Sequence, residues 1–262
     1  MNSLEVKMLN ILKDLKCNNE YLSVKVDFES EGTRVFELAN ILKIVFGAGA
    51  ELTAKIGGCE AILDINLAKI FGADIIVSPM VESGFALKKF KNAAKKIYKE
   101  RVKEVSWVAN AETITCFKNL DDILSCGLNF LSGITIGRVD LCCSMGLERK
   151  DIDSIEVFNV CRNIAEKVKQ KGFILSVGGG LGASSFDVIS EIGNFLDRVE
   201  TRKLVFNFDD NFSKFKYNIE KATEFELLYL QNKSSYYRNL CEEDKVRMGL
   251  LNRRMAKILG GV

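Results

Sequence analysis

Glu112 closes the apolar run "WVANA", and Asp140 lies in "ITIGRVDL", each a lone acid where a run of strand-forming residues stops. The arrangement recurs along the chain. Glu29 follows "VKVDF", Lys55 sits in "LTAKIGG", Glu82 follows "IIVSPM", and Arg138 stands two residues before Asp140. Gly178, Gly179 and Gly180 then follow "ILSV". If these runs are neighbouring strands, their ends carry four carboxylates and two cations to one place. Enclosing such charges costs on the order of several kcal/mol each unless they are paired or bind an ion. A hard divalent cation would resolve the excess of acid. Oxygen donors from two carboxylates, completed by water and substrate, suit Mg²⁺ or Mn²⁺. Glu112 and Asp140 stand out because they occupy equivalent places in successive repeats. The alternative for any single member, and the better reading for Glu82 before Ser83-Gly84, is a solvated or salt-bridged rim residue.

The elements that must position these groups can be read from periodicity. Residues 3–16 space apolar side chains as a helix does. Seven short runs rich in β-branched residues follow: "LSVKVDF", "ELTAKIGG", "DIIVSPM", "VSWVANAE", "GITIGRVDL", "FILSVGGG" and "RKLVFNF". Helical patterns separate them. One is "TRVFELANILKIVFGAG", with Thr33 as N-cap and Gly47 near its stop. Another is "DIDSIEVFNVCRNIAEKVKQKG", with an Asp153–Glu156 capping box and Gly172 at the C-cap. Strand and helix alternate every 25 to 35 residues or so, and the strands are nearly continuous apolar runs. That pattern predicts a parallel sheet covered by helices. The repeat number favours a TIM-like (βα) barrel, with an eighth strand degenerate or the barrel modified. In such a barrel, chemistry sits at the C-terminal strand ends. Residues 1–208 are expected to form the barrel with its N-terminal helix. Residues 209–262 form a helical extension of two helices, "NIEKATEFELLYLQNK" and "EEDKVRMGLLNRRMAKIL", on either side of polar "NKSSYYRN". This extension packs on the barrel wall or on a partner subunit.

Composition removes several functions. The chain of 262 residues has a net charge of +2, which gives no support for nucleic-acid or membrane-surface binding. "KKFKNAAKKIYKER" is the most basic stretch, but its sparse aromatics fit a solvated helix face. No apolar run reaches the length of a membrane span, and the first residues show no signal-peptide pattern. There is no histidine, so a Ser-His-Asp triad, a zinc finger and a histidine base are excluded. The eight cysteines are scattered without a CxxC pair, as expected for reduced thiols in a cytoplasmic protein.

At the strand-end residues the sequence resembles the HpcH/HpaI aldolase and citrate lyase β-subunit family. The likeness runs from about residue 22 to about 208 and is strongest in "GGCEAILDINLAKIFGADIIVSPMVES", "ANAETITCFKNLDDIL" and "GITIGRVDLCCSMG". The resemblance implies that Glu112 and Asp140 hold Mg²⁺ or Mn²⁺, which binds a small 2-oxo acid such as pyruvate. It implies a carbon–carbon lyase or aldolase working through a metal-stabilised enolate; a homo-oligomer is expected from the helical extension. Lys55 stands where many members have an arginine that grips the substrate carboxylate. Lysine supplies the charge without the bidentate fork. "FES" places Glu29 at the family's acid position and Ser30 where histidine would be. Glu29, or a metal-bound water, would then move the proton. Arg138, expected on the same strand face as Asp140, would bind a second anionic group or pair with an acid.

"SVGGGLGASS" leaves two readings open. Gly178, Gly179 and Gly180 bind a phosphate or carboxylate beside a helix N-terminus, or they make a tight turn with Ser184 as N-cap. Two further functions compete with the lyase: a barrel binding a phosphorylated sugar or nucleotide-linked acid, and a non-catalytic assembly subunit.

Overall fold

The structure is a computed structural model and describes residues 1–258. Helix α1 (Ser3–Asn18) leads into β1 (Leu22–Asp27), α2 (Val35–Ala48), β2 (Glu51–Lys55), α3 (Ile62–Ile70), β3 (Ile75–Ser78) and α4 (Gly84–Tyr98). There follow β4 (Ser106–Ala111), α5 (Ile114–Lys118), α6 (Leu120–Gly127), β5 (Gly133–Gly137), α7 (Arg138–Ser144) and α8 (Ile155–Gln170). The chain ends with β6 (Ile174–Gly178), α9 (Phe186–Ser190), β7 (Arg198–Glu200), β8 (Leu204–Asn207) and α10 (Phe212–Ile258). The strands close in sequence order into an eight-stranded barrel of the α/β class.

The barrel is modified at its seam. Strands β1 to β7 run parallel, whereas β8 is antiparallel to both β7 and β1. The strand missing from the sequence reading is β7. It is only three residues long, "RVE", too short to show a period. It turns straight into β8, with Thr201 N–H bonded to the Leu204 carbonyl at 2.8 Å. Because β8 runs backwards, it leaves the barrel at the end where β1 begins. Helix α10 therefore starts at the bottom and climbs toward the mouth.

The extension is one continuous helix of 47 residues, not two. At 1.5 Å per residue it is about 70 Å long. "NKSSYYRN" is polar, but it holds no glycine or proline to break a helix, and tertiary contacts support it. Tyr236 stacks on Phe36 with ring centroids 4.1 Å apart. Tyr237 and Lys233 both reach the buried Glu37 carboxylate, at 2.5 and 3.1 Å. Residues 259–262 of the predicted extension lie outside the described residues.

Local signals were displaced by one or two positions. Arg34, not Thr33, is the N-cap of α2, while the Thr33 hydroxyl donates to the Asp27 carbonyl at 2.7 Å. Ser154 caps α8 in place of the Asp153–Glu156 box, and Asp153 instead faces Arg138. Helix α2 ends on Gly49, in the left-handed region, beyond the expected Gly47.

The apolar core lies between the strands and their surrounding helices. Buried Trp107 on β4 donates its ring N–H to the Val102 carbonyl at 2.7 Å and contacts Phe90 and Phe130. The inward faces differ. The strand registers put Lys25, Thr53, Asn110, Thr135, Ser176 and Glu200 inside the barrel. Such interiors are usually filled by bulky branched side chains. Here small and polar ones leave room beneath the mouth. No helix among the described residues is long and apolar enough to cross a membrane.

The tie between α2 and α10 carries a pH prediction. Burial works against the charge on Glu37, but hydrogen bonds from Tyr237, Lys233 and the Arg34 backbone outweigh it and hold its carboxyl below the ordinary 4.5. A carboxyl lowered by folding adds stability above its unfolded pKa and loses it as pH falls through the folded value. Amide exchange around residues 233–237 should therefore rise below about pH 4.5 before the strands respond. In Glu37→Gln the segment should exchange faster at pH 7 and respond less to acid. Identical pH responses in the two proteins would remove Glu37 from this role.

Candidate active site at the barrel mouth

The C-terminal ends of the parallel strands open into a cavity of about 630 Å³. Glu29, Lys55, Glu112, Asp140 and Gly178 to Gly180 line it, with Lys25, Asn110, Met80 and Glu200. One wall comes from α10 through Ala222, Thr223 and Glu226. Cation and acid are largely matched around the rim. Lys55 Nζ meets Glu29 Oε2 at 2.7 Å, Lys25 pairs with Glu200, and Arg202 lies 2.9 Å from Glu31.

Glu112 is the most deeply buried acid of the site, 2 % exposed. It follows β4 in the inward phase and lies against β5. A Cβ on Gly137 would stand 2.8 Å from both Cβ and Oε2 of Glu112, so only glycine leaves room for this carboxylate. Oε1 accepts the Met80 N–H at 2.9 Å, and Oε2 accepts from Asn110 Nδ2 at 3.0 Å. Met80 takes a φ of +51°, a region costly for a side-chain-bearing residue. Burial pushes the Glu112 carboxyl up, and the charge of Asp140 adds to this. Lys55, the Met80 amide and Asn110 pull the other way without cancelling the rise. Burial also opposes the charge on Lys55, but Glu112, Glu29 and Asp27 together hold its pKa above the ordinary lysine value.

Asp140 is exposed at the mouth, in the first turn of α7. As one strand through "GRVDL", β5 would put Arg138 and Asp140 on one face. The strand stops at Gly137, and two residues of helix turn side chains roughly 200° apart. Arg138 is consequently buried behind the site. Its Nη1 donates to Asp153 Oδ1 at 2.6 Å, and its Nη2 donates to the Gly179 carbonyl at 3.1 Å. It does not reach the cavity as a substrate ligand. It fastens the glycine turn instead.

That turn is built for close approach. Gly179 has φ +88°, and a Cβ there would meet the backbone nitrogens of Val139 and Arg138 at 2.8 and 3.0 Å. The helix that follows, α9, has only five residues. The Gly182 N–H is already bonded to Ser185 Oγ at 3.1 Å, so Ser185 rather than Ser184 satisfies the turn. Glu82 does not line the cavity. It accepts the Thr113 hydroxyl at 2.7 Å, and Ser30, standing where histidine was expected, donates to Asp27 Oδ2 at 2.9 Å.

The sequence reading missed Lys25, Asn110 and Glu200. Their signal was period two: Lys25 and Asp27 alternate with apolar residues up to Glu29, and Asn110 stands two before Glu112. Glu200 gave none, because its strand was not recognised.

Whether the residues suit a divalent cation can be tested on the donors. Glu112, Asp140 and Asn110 supply hard oxygens to one cavity. Asn110 Oδ1 is buried without a hydrogen-bond partner, and its own Nδ2 is turned to Glu112. No group of three or more His, Cys, Asp or Glu among the described residues could hold a metal ion. Mg²⁺ commonly needs only one or two carboxylates, with waters and substrate completing its shell. The donors fit.

The HpcH/HpaI aldolase/citrate lyase family matches in sequence over residues 53–178. No curated protein matches the chain. Among solved structures, an HpcH/HpaI aldolase from Desulfitobacterium hafniense superposes with TM-score 0.62 at 14 % identity, over 76 % of this chain and 81 % of that one. An HpcH/HpaI aldolase/citrate lyase family protein from Burkholderia cenocepacia gives 0.60 at 15 % identity, over 77 % of this chain and 92 % of its own. RipC from Yersinia pestis gives 0.53 at 12 %, over 75 % and 88 %. At these identities the superpositions establish the shared barrel. The sequence match runs from within β2 to the end of β6, including Lys55, Glu112, Asp140 and Gly178, and over that segment, just under half of the chain, the protein is similar to the HpcH/HpaI aldolase/citrate lyase family.

Proposed function

We propose that the chain is a divalent-metal-dependent lyase that cleaves or forms the carbon–carbon bond of a 2-oxo acid adduct at the barrel mouth. The observation that carries the reading is the buried Glu112 carboxylate, oriented by two hydrogen bonds and lining one cavity with Asp140 and Asn110, whose Oδ1 is buried without a partner. Glu112 and Asp140 would hold Mg²⁺ or Mn²⁺, with Asn110 Oδ1 as a further oxygen donor. When bound, such an ion supplies Lewis acidity to a keto oxygen gaining negative charge.

The chain's own residues do the rest. Lys55 is kept cationic by the acids around it and can pair with the substrate carboxylate. Glu29 fixes the direction of Lys55 through their 2.7 Å contact. The polar interior leaves room for the reacting end of the adduct, and the α10 wall limits water on one side. Arg138 acts at a distance by holding the carbonyl of Gly179.

Purified protein with Mn²⁺ should release pyruvate from its aldol adducts, or form adducts from pyruvate and an aldehyde. Glu112→Gln should lose Mn²⁺ binding by calorimetry, and turnover should fall at least ~10³-fold. Equal turnover by the variant would end the metal assignment. The same substitution should leave the metal-free protein as stable as before, or up to about 1–2 kcal/mol more stable, since it removes a desolvated charge. Thermal melting in chelator checks that.

Gly137→Ala leaves every proposed ligand in place but puts a methyl group where Glu112 lies. Its Mn²⁺ affinity should drop about 10–100-fold, as when a supporting group around a metal site is disturbed. Unchanged affinity would show that Glu112 need not hold this position.

A further inference from the structure

The mouth cavity holds a second charged element that the metal site does not use. Lys25 on β1 and Glu200 on β7 point inward and form an ion pair, with side-chain exposures of 11 % and 8 %. Both line the same cavity as Glu112 and Asp140. Glu200 spends one oxygen on Lys25. The other, Oε2, has only a long 3.5 Å contact from the Thr135 hydroxyl and keeps acceptor capacity. Gly178, beside it, lacks the side chain that would crowd it: a Cβ there would meet the Glu200 carbonyl at 3.1 Å.

A buried ion pair is often neutral or destabilising relative to well-packed apolar residues of the same volume. Stability therefore gives no reason for this one, in a position that barrels of this kind fill with aliphatic side chains. The chain has no histidine to move a proton. Glu29, the acid at the rim, is tied to Lys55 and is more exposed, at 31 % of its side chain.

We infer that Glu200 is the acid–base residue of the lyase reaction and Lys25 the positioning residue that fixes its direction. The inference rests on the lyase reading above. In cleavage, the Glu200 carboxylate takes the proton of the adduct's hydroxyl group. The O–H electrons form the aldehyde carbonyl, the C–C bond breaks, and its electrons enter the enolate of the 2-oxo acid. The Glu200 carboxylic acid then returns the same proton to the enolate carbon. The carboxylate is regenerated, with nothing oxidised or reduced.

The return step can be read without an aldehyde. In D₂O with Mn²⁺, the protein should exchange the methyl protons of pyruvate for deuterium, followed by NMR. Glu200→Gln should slow exchange at least ~100-fold, the usual worth of a positioned acid–base group. Mn²⁺ and oxalate affinities, measured by calorimetry, should stay at the wild-type level. The double variant Lys25→Met/Glu200→Gln removes both charges, so no lone charge is left buried. It should fold, bind Mn²⁺ and oxalate, and also fail to exchange. Wild-type exchange that survives in either variant would overturn the role of Glu200 and leave the lyase reading intact. A wild type that binds Mn²⁺ but exchanges nothing would overturn both together. Variants that lose oxalate affinity in step with exchange would overturn the acid–base role in favour of a binding role.

Discussion

A carboxylate removed from water needs partners, and Glu112 has arranged the chain around that need. Gly137 opens the space for it on the neighbouring strand. Met80 adopts a strained backbone conformation while its N–H reaches Oε1, and Asn110 turns its amide nitrogen to Oε2. That orientation leaves Asn110 Oδ1 buried without a donor. Burial outweighs these contacts and leaves the Glu112 carboxyl raised, so its negative charge is disfavoured there. A group held against its own solvation in this way gains most when a cation arrives. The region is better suited to binding an ion than to stabilising the empty fold.

The barrel interior extends the same trade. Lys25, Thr53, Thr135, Ser176 and Glu200 replace aliphatic layers, so the core strength of the molecule lies outside the strands. The Trp107 cluster and the helix-facing residues of each strand supply it. Separating the two faces lets the inner one serve chemistry while the outer one holds the fold.

How much of this the sequence disclosed depended on local pattern. Glu112 was legible because it interrupts a long apolar run, and the barrel was legible because the runs recur at a steady interval. Arg138 was misread because nothing in "GITIGRVDL" marks where extended chain becomes helix: there is no proline and no Ser, Asp or Asn cap before it. Glu200 was silent because a three-residue strand has too few positions for alternation. Lys25 and Asn110 were visible as alternation but not as partners. Their meaning comes from strands β5 and β7, which only closure brings beside them. The polar stretch "NKSSYYRN" looks like a break in the long helix, but only a missing backbone hydrogen bond or a left-handed residue makes one.

The reversal of β8 also fixes the electric field at the mouth. Helices α2, α3, α4, α5, α7 and α9 each leave the upper end of a parallel strand, so their amino-terminal turns, with partial positive charge, surround the opening. Helix α10 arrives from below and passes the opening well inside its length, where successive peptide dipoles cancel. The wall it builds therefore adds no helix-end charge of its own, and Glu226 makes it acidic. The attraction felt by an approaching dianion comes from the other side of the ring, and such a molecule should enter facing away from α10.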